Sequence, residues 1–164
     1  MTDDQSELFV VVDKDDQVIG YRTRYDCHHD KSLIHRAVGI VITNDKGEIL
    51  LQKRSQKKDT GKGLFDIASS GHVAKGESYR EAAKRELKEE LGVTASLTFV
   101  KKFLLHLPHE TEFDEIFRAH HNGPFKVNKE EIDAVFFVKP SDITENKFKI
   151  TKFAKKALQT AGVL

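Results

Sequence analysis

The chain is poor in the residues that would point to an oxidising compartment, a membrane or a nucleic acid. Its 164 residues include one cysteine, one methionine, three prolines and no tryptophan. A single thiol, Cys27, cannot close an intramolecular disulfide, so a packed core has to hold the fold. The opening stretch MTDDQSELFVVV lacks the basic region and longer apolar run of a secretory signal, and the expected location is cytoplasmic. No segment approaches the roughly 18 uninterrupted apolar residues of a spanning helix, so no membrane partner is expected. The 27 Lys+Arg and 26 Asp+Glu leave a formal charge of +1. That balance provides no global positive field for nucleic acid, and any charge that matters must be local. The length suits one domain with its own core, and neither an internal repeat nor a low-complexity tract interrupts it.

Strand-like runs dominate what is there. LFVVVD (Leu8 to Asp13) and VIGYRTR (Val18 to Arg24) flank the polar KDDQ and predict an N-terminal hairpin within residues 1–30. HRAVGIVIT (His35 to Thr43), NDKG and EILLQKR (Glu48 to Arg54) predict a second, central hairpin. The polar SQKKDTGKG reads as a loop, followed by a short strand at Leu64 to Ser69. Further strands are expected in LTFVKKFLLHL, FDEIFRAHH and AVFFV (Ala134 to Val138). A closing helix should dock through Phe153, Ala157, Leu158 and Ala161. Strands and helices mixed in one short chain define an α/β or α+β class.

The segment GHVAKGESYREAAKRELKEELGV, Gly71 to Val93, carries the chemistry. Ser78 and Glu81 form a capping box, which starts a helix near Tyr79. Ala83, Leu87 and Leu91 recur every four residues as a buried stripe, and Gly92 stands where a left-handed C-terminal residue is wanted. At about 100° per residue, Glu86, Glu89 and Glu90 share one edge of that helix. Three like charges side by side are costly unless a cation balances them, and hard carboxylate oxygens suit Mg²⁺. A solvated Glu/Lys face is the plain alternative.

The same residues resemble the Nudix box, G-x5-E-x7-R-E-U-x-E-E-x-G-U with U aliphatic. Gly71, Glu77, Arg85, Glu86, Leu87, Glu89, Glu90, Gly92 and Val93 fill its fixed positions. The resemblance implies a single Nudix hydrolase domain over residues 1–164, with the box at 71–93. It also implies an α/β/α sandwich around a mixed β-sheet, with the N-terminal β-hairpin added. By the same likeness, Glu86, Glu89 and Glu90, with the Gly71 carbonyl, would hold Mg²⁺ or Mn²⁺. The reaction implied is hydrolysis of a diphosphate bond in a nucleoside diphosphate derivative or similar small molecule. Glu86, or one of Glu112, Glu115, Glu130 and Glu131, would act as general base. Arg85 would pair with Glu77 and orient the loop. Lys53 and Arg54 are the candidates for substrate phosphate, followed by Lys57, Lys58 and Lys62. The TGKG at Thr60 to Gly63 lacks the first glycine and following Ser/Thr of a phosphate loop. A homodimer is left open.

A second resemblance, to isopentenyl-diphosphate isomerase, rests on YDCHHDKSLIHRA, SSGHVAKGES and FDEIF. It implies a second metal site at His28, His35, His72 and Glu115. Four departures favour hydrolysis. Ser70 stands where that enzyme has its proton-shuttling cysteine, and no tryptophan is available to shelter a carbocation. Phe113 occupies the place expected for a second metal-binding glutamate, and the box carboxylates are intact. His35 opens an apolar strand, where packing and ligation are both open readings. A third reading is a Nudix-fold sensor that binds a nucleotide without cleaving it.

Overall fold

The computed structural model describes residues 3–164. The N-terminal hairpin forms as expected, from β1 (Leu8–Val12) and β2 (Val18–Thr23), and is followed by a short helix, α1 (Arg24–His29). The centre of the fold is β3 (Ile34–Thr43). It runs parallel to β8 (Thr111–His120) over its whole length and antiparallel to β6 (Ser69–His72) through Ala37 to Ile40. Its N-terminal end also pairs with β1, at Val11↔His35 and Val12↔Ile34. A strand buried on both faces reads as a continuous apolar run, which is what AVGIVI supplies.

The reversal expected from NDKG forms, with the Gly47 amide on the Asn44 carbonyl, but the hairpin it makes is short. β3 and β4 (Ile49–Arg54) meet only at Thr43↔Ile49 and then diverge. β4 pairs instead with β5 (Phe65–Ile67) and with β9 (Ile132–Val138). β7 (Thr98–His106) pairs with β8, and nine strands are thereby linked in one mixed sheet.

Alternation along the strands supplies two cores, one for each side of the sheet. Val38, Ile40, Ile42, Leu50 and Phe117 pack with Ala83, Leu87 and Leu91 of α2 (Tyr79–Leu91). Val41, Ile49, Leu51, Ile67 and Ile116 pack with Ala154, Ala157 and Leu158 of α4 (Lys152–Thr160) and with Ile143 of α3 (Pro140–Thr144). Each fully buried Leu or Ile stabilises the fold by about 1.5–3 kcal/mol relative to exposure. The result is helix, sheet, helix.

Helix α2 has the boundaries its residues dictate. The Ser78 hydroxyl accepts from the Glu81 amide while the Glu81 carboxylate accepts from the Ser78 amide. Gly92 closes the helix at φ 69°, a left-handed conformation that costs glycine nothing. Among the described residues no helix is long and apolar enough to cross a membrane.

Candidate active site and histidine centre

A cleft of about 580 Å³ opens between the end of β6, the edge of α2 and the 55–63 loop. The box forms one wall. Glu90 is 7% exposed and lies against Gln52 Nε2 at 3.3 Å and the Ser70 amide at 3.4 Å. Glu86 packs directly on Gly71, where a Cβ would fall 2.1 Å from its Cδ. Glu89 also borders the cleft, though its side chain is 57% exposed. The three therefore differ in depth: Glu90 is buried, Glu86 nearly so, and Glu89 sits at the rim.

Arg85 is the clamp between loop and helix. Its Nε and Nη2 donate to the two oxygens of Glu77 at 2.6 and 3.0 Å. Its Nη1 reaches Glu86 at 2.7 Å, and Nη2 also donates to the His72 carbonyl at 3.0 Å. One guanidinium thus ties the box loop, the carboxylate edge of the helix and the end of β6 together. Burial pushes the Glu86 carboxyl up to about 7, with Arg85 pulling against that and Glu89 adding to it. Glu90 is raised well above the usual carboxylate range, first by burial and then by the neighbouring Glu86. A cation placed against these two acids would offset the cost of ionising them in a buried setting.

Of the two residues read as phosphate contacts, Arg54 borders the cleft and Lys53 does not. Alternation along β4 sends Gln52 and Arg54 to the cleft side and Lys53 to the other. Arg54 donates to the Thr60 carbonyl at 3.0 Å and lies 3.5 Å from Asp66. Lys58 lies on the cleft instead, held by Asp3 at 2.6 Å and Glu131 at 2.5 Å.

The histidines converge at the other end of the same cleft. β3 supplies His35, β6 supplies His72 and α1 supplies His28; the ring centroids are 5.2 to 5.7 Å apart. Phe9 stacks on His72 at 4.1 Å and closes one side. The fourth member is Glu110. One ligand atom from each of His28, His35, His72 and Glu110 lies within 4.8 Å of the others. Glu115, the acid expected from FDEIF, is elsewhere: it shares the α2 face of β8 and feels Lys102, Asp16, Arg36 and Arg80. The physical reason is strand phase, since Glu112 and Asp114 alternate with Phe113 and Glu115. Phe113 is accordingly no departure, because the second acid near the histidines is Glu112, 3.4 Å from His35 Nε2. Sequence reasoning missed Glu110 and named Glu112 only as a candidate general base, not as a partner of the histidines; the alternating HETE stretch that opens β8 was the signal.

The donor set fits a metal ion on its own evidence. His28 Nε2 and His35 Nε2 lie 2.8 and 3.3 Å from Glu110 Oε2, yet none of these three buried atoms meets its neighbours along a hydrogen-bond direction. Burial lowers the proton affinity of His72, helped by the nearby Arg24 cation, so its ring is neutral and able to ligate. Burial opposes charge on His28 as well, but Asp59 and Glu110 outweigh it and raise its pKa. The two histidines in turn overcome burial at Glu110 and hold it down at about 2. Imidazole-rich donors suit a transition metal, whereas the all-oxygen box suits Mg²⁺ or Mn²⁺.

The Nudix domain family model matches residues 33–161, and the chain belongs to that family. It is 35% identical over 150 residues to an uncharacterized Nudix hydrolase of Yersinia pestis, covering 90% of this chain and 81% of that one. It is 37% identical over 131 residues to isopentenyl-diphosphate Delta-isomerase 2 of Photorhabdus laumondii, covering 77% and 73% respectively. In fold it resembles a crystal structure from Deinococcus radiodurans, with a TM-score of 0.79, 22% identity, and 94% and 99% of the two chains covered.

Proposed function

We propose that this Nudix protein hydrolyses a diphosphate bond in a nucleoside diphosphate derivative or related small molecule, with Mg²⁺ or Mn²⁺ held by Glu86, Glu89, Glu90 and the Gly71 carbonyl. The observation that carries this reading is the complete box placed on the cleft wall, with Glu86 and Glu90 buried against β6 and Arg85 locking Glu77 to Glu86. Once bound, such an ion offsets charge on the phosphoryl group and lowers the pKa of an attacking water. The chain's own residues do the rest. Glu77 and Arg85 fix the loop against the helix, and Arg54 and Lys58 face substrate phosphate from the opposite side. Among the acids considered as general base, Glu86, Glu112 and Glu131 border the cleft, and Glu115 and Glu130 do not.

A second reading is favoured by the histidine centre and by the isomerase-named relative: isomerisation of an isoprenoid diphosphate. Ser70 at the position of the proton shuttle, and a chain without tryptophan, stand against it. The histidine centre is then a second, imidazole-rich metal site in a hydrolase. Incubation with a panel of nucleoside diphosphate derivatives and Mg²⁺ should release phosphate products, and Glu90→Gln should abolish the release. Isopentenyl diphosphate in heavy water should return without deuterium. Deuterium uptake with no turnover on the panel would replace the first reading by the second. A ligand that binds with Mg²⁺ and is recovered intact would instead mark a sensor.

A further inference from the structure

We infer that Asp59 is a positioning residue: it holds the His28 ring for metal and so ties the 55–63 loop at the cleft mouth to the histidine centre. This rests on the reading above that His28, His35, His72 and Glu110 hold a metal ion. His28 turns Nε2 toward Glu110, 2.8 Å away, and holds Nδ1 3.4 Å from Asp59 Oδ2, a carboxylate contact without hydrogen-bond alignment. An imidazole that ligates through one nitrogen carries its proton on the other. An acceptor beside that second nitrogen selects the tautomer, aims the ring and strengthens the ligand. Asp59 is the acceptor within reach.

The carboxylate is itself fixed from behind. Arg24 donates through Nε and Nη2 to its two oxygens at 3.0 and 3.1 Å, and Arg24 is only 6% exposed. The Asp59 amide donates to Asp3 Oδ2 at 2.9 Å. Neutralising Arg24 does not by itself require Asp59, because Asp3 and Glu7 lie 3.5 and 3.9 Å from the same guanidinium. What those two acids do not do is face His28. The loop that carries Asp59 also carries Lys58, so the segment that meets substrate phosphate is the segment that orients the ligand.

The test is a Co²⁺ titration of the full chain, followed by visible absorption and by the hyperfine-shifted exchangeable protons of cobalt-bound imidazoles, which the box glutamates cannot produce. Asp59→Ala should weaken Co²⁺ binding by about 10- to 100-fold and expose the His28 Nδ1 proton to rapid exchange. Asp59→Asn keeps the shape and one acceptor oxygen, and should cost about tenfold while retaining a slower-exchanging proton. Lys57→Gln breaks the same loop's exposed tie to Glu130, 2.7 Å away, without touching His28, and should leave the affinity within about twofold. Folded Asp59→Ala that binds Co²⁺ like the native chain would overturn the inference, as would a Lys57→Gln loss of equal size. If Asp59→Ala fails to fold, native-like binding by Asp59→Asn overturns it in the same way. A native chain showing no cobalt-shifted imidazole protons would instead remove the metal reading of the histidines, and this inference with it.

Discussion

Gly71→Ala separates the position of a box carboxylate from its presence. A Cβ built on Gly71 lies 2.1 Å from Glu86 Cδ, 2.2 Å from Oε1 and 2.6 Å from Cγ. Ordinary carbon contacts begin near 3.5 Å, so the carboxylate must retreat by about 1.5 Å or β6 and α2 must part. Neither route is open at low cost. Glu86 is pinned by Arg85 at 2.7 Å, and the helix behind it is seated through Leu87 and Leu91, each at most 1% exposed. Overpacking of this kind costs about 1–3 kcal/mol of stability, and misplacing a reacting group by about 1 Å can cost on the order of 10²-fold in rate. The variant should therefore melt at lower temperature yet remain folded, bind Mg²⁺ more weakly by calorimetry, and turn over whichever diphosphate the native chain cleaves on the order of 100-fold more slowly. Native turnover and native Mg²⁺ affinity in Gly71→Ala would refute the reasoning, because Glu86 could then leave its place without consequence.

Three other outcomes are expected. Glu86 is raised from 4.5 to about 7, so between those pH values the folded chain keeps a proton that the unfolded chain has released. Metal-free stability should therefore fall as pH rises through that window, by at most about 3 kcal/mol. Mg²⁺ should then raise the melting temperature more at pH 8 than at pH 6, and an equal rise at both would contradict the assignment. Arg85→Lys cannot reproduce a fork that meets Glu77 twice and Glu86 once; urea titration should show a loss of about 2 kcal/mol, whereas an unchanged midpoint would argue that the clamp is ornamental. Leu87→Ala empties a site 1% exposed in the α2 core and should cost about 2–5 kcal/mol in the same assay, with a cost under 1 kcal/mol pointing to a looser helix–sheet contact.

The helix of the box was legible to the residue because its ends are local chemistry. Ser78, Glu81 and Gly92 satisfy backbone groups within one turn, and nothing distant can overrule them. Pairing was less legible. β3 and β4 look like a hairpin because NDKG makes a good turn, but the longer parallel ladder with β8 claims β3, and β4 turns to β5 and β9. Site residues followed the same division. The box glutamates could be placed by spacing on one helix. Glu110 and Glu112 needed the phase of β8 relative to β3, and choosing Glu115 put the acid on the wrong face. Lys53 failed for the same reason on β4. Asp59 carried no local signal, since its partners Arg24 and His28 are 35 and 31 positions away in the chain.

Gly71 and His72 are consecutive in β6 and face opposite ways, one giving the box helix a bare surface to lean on, the other sending its imidazole among the histidines. A deletion or insertion of one residue just upstream would swap those directions, blinding both centres in a single event. The count of residues through that short strand is thus a ruler shared by two clusters of side chains, and keeping either of them fixes its length.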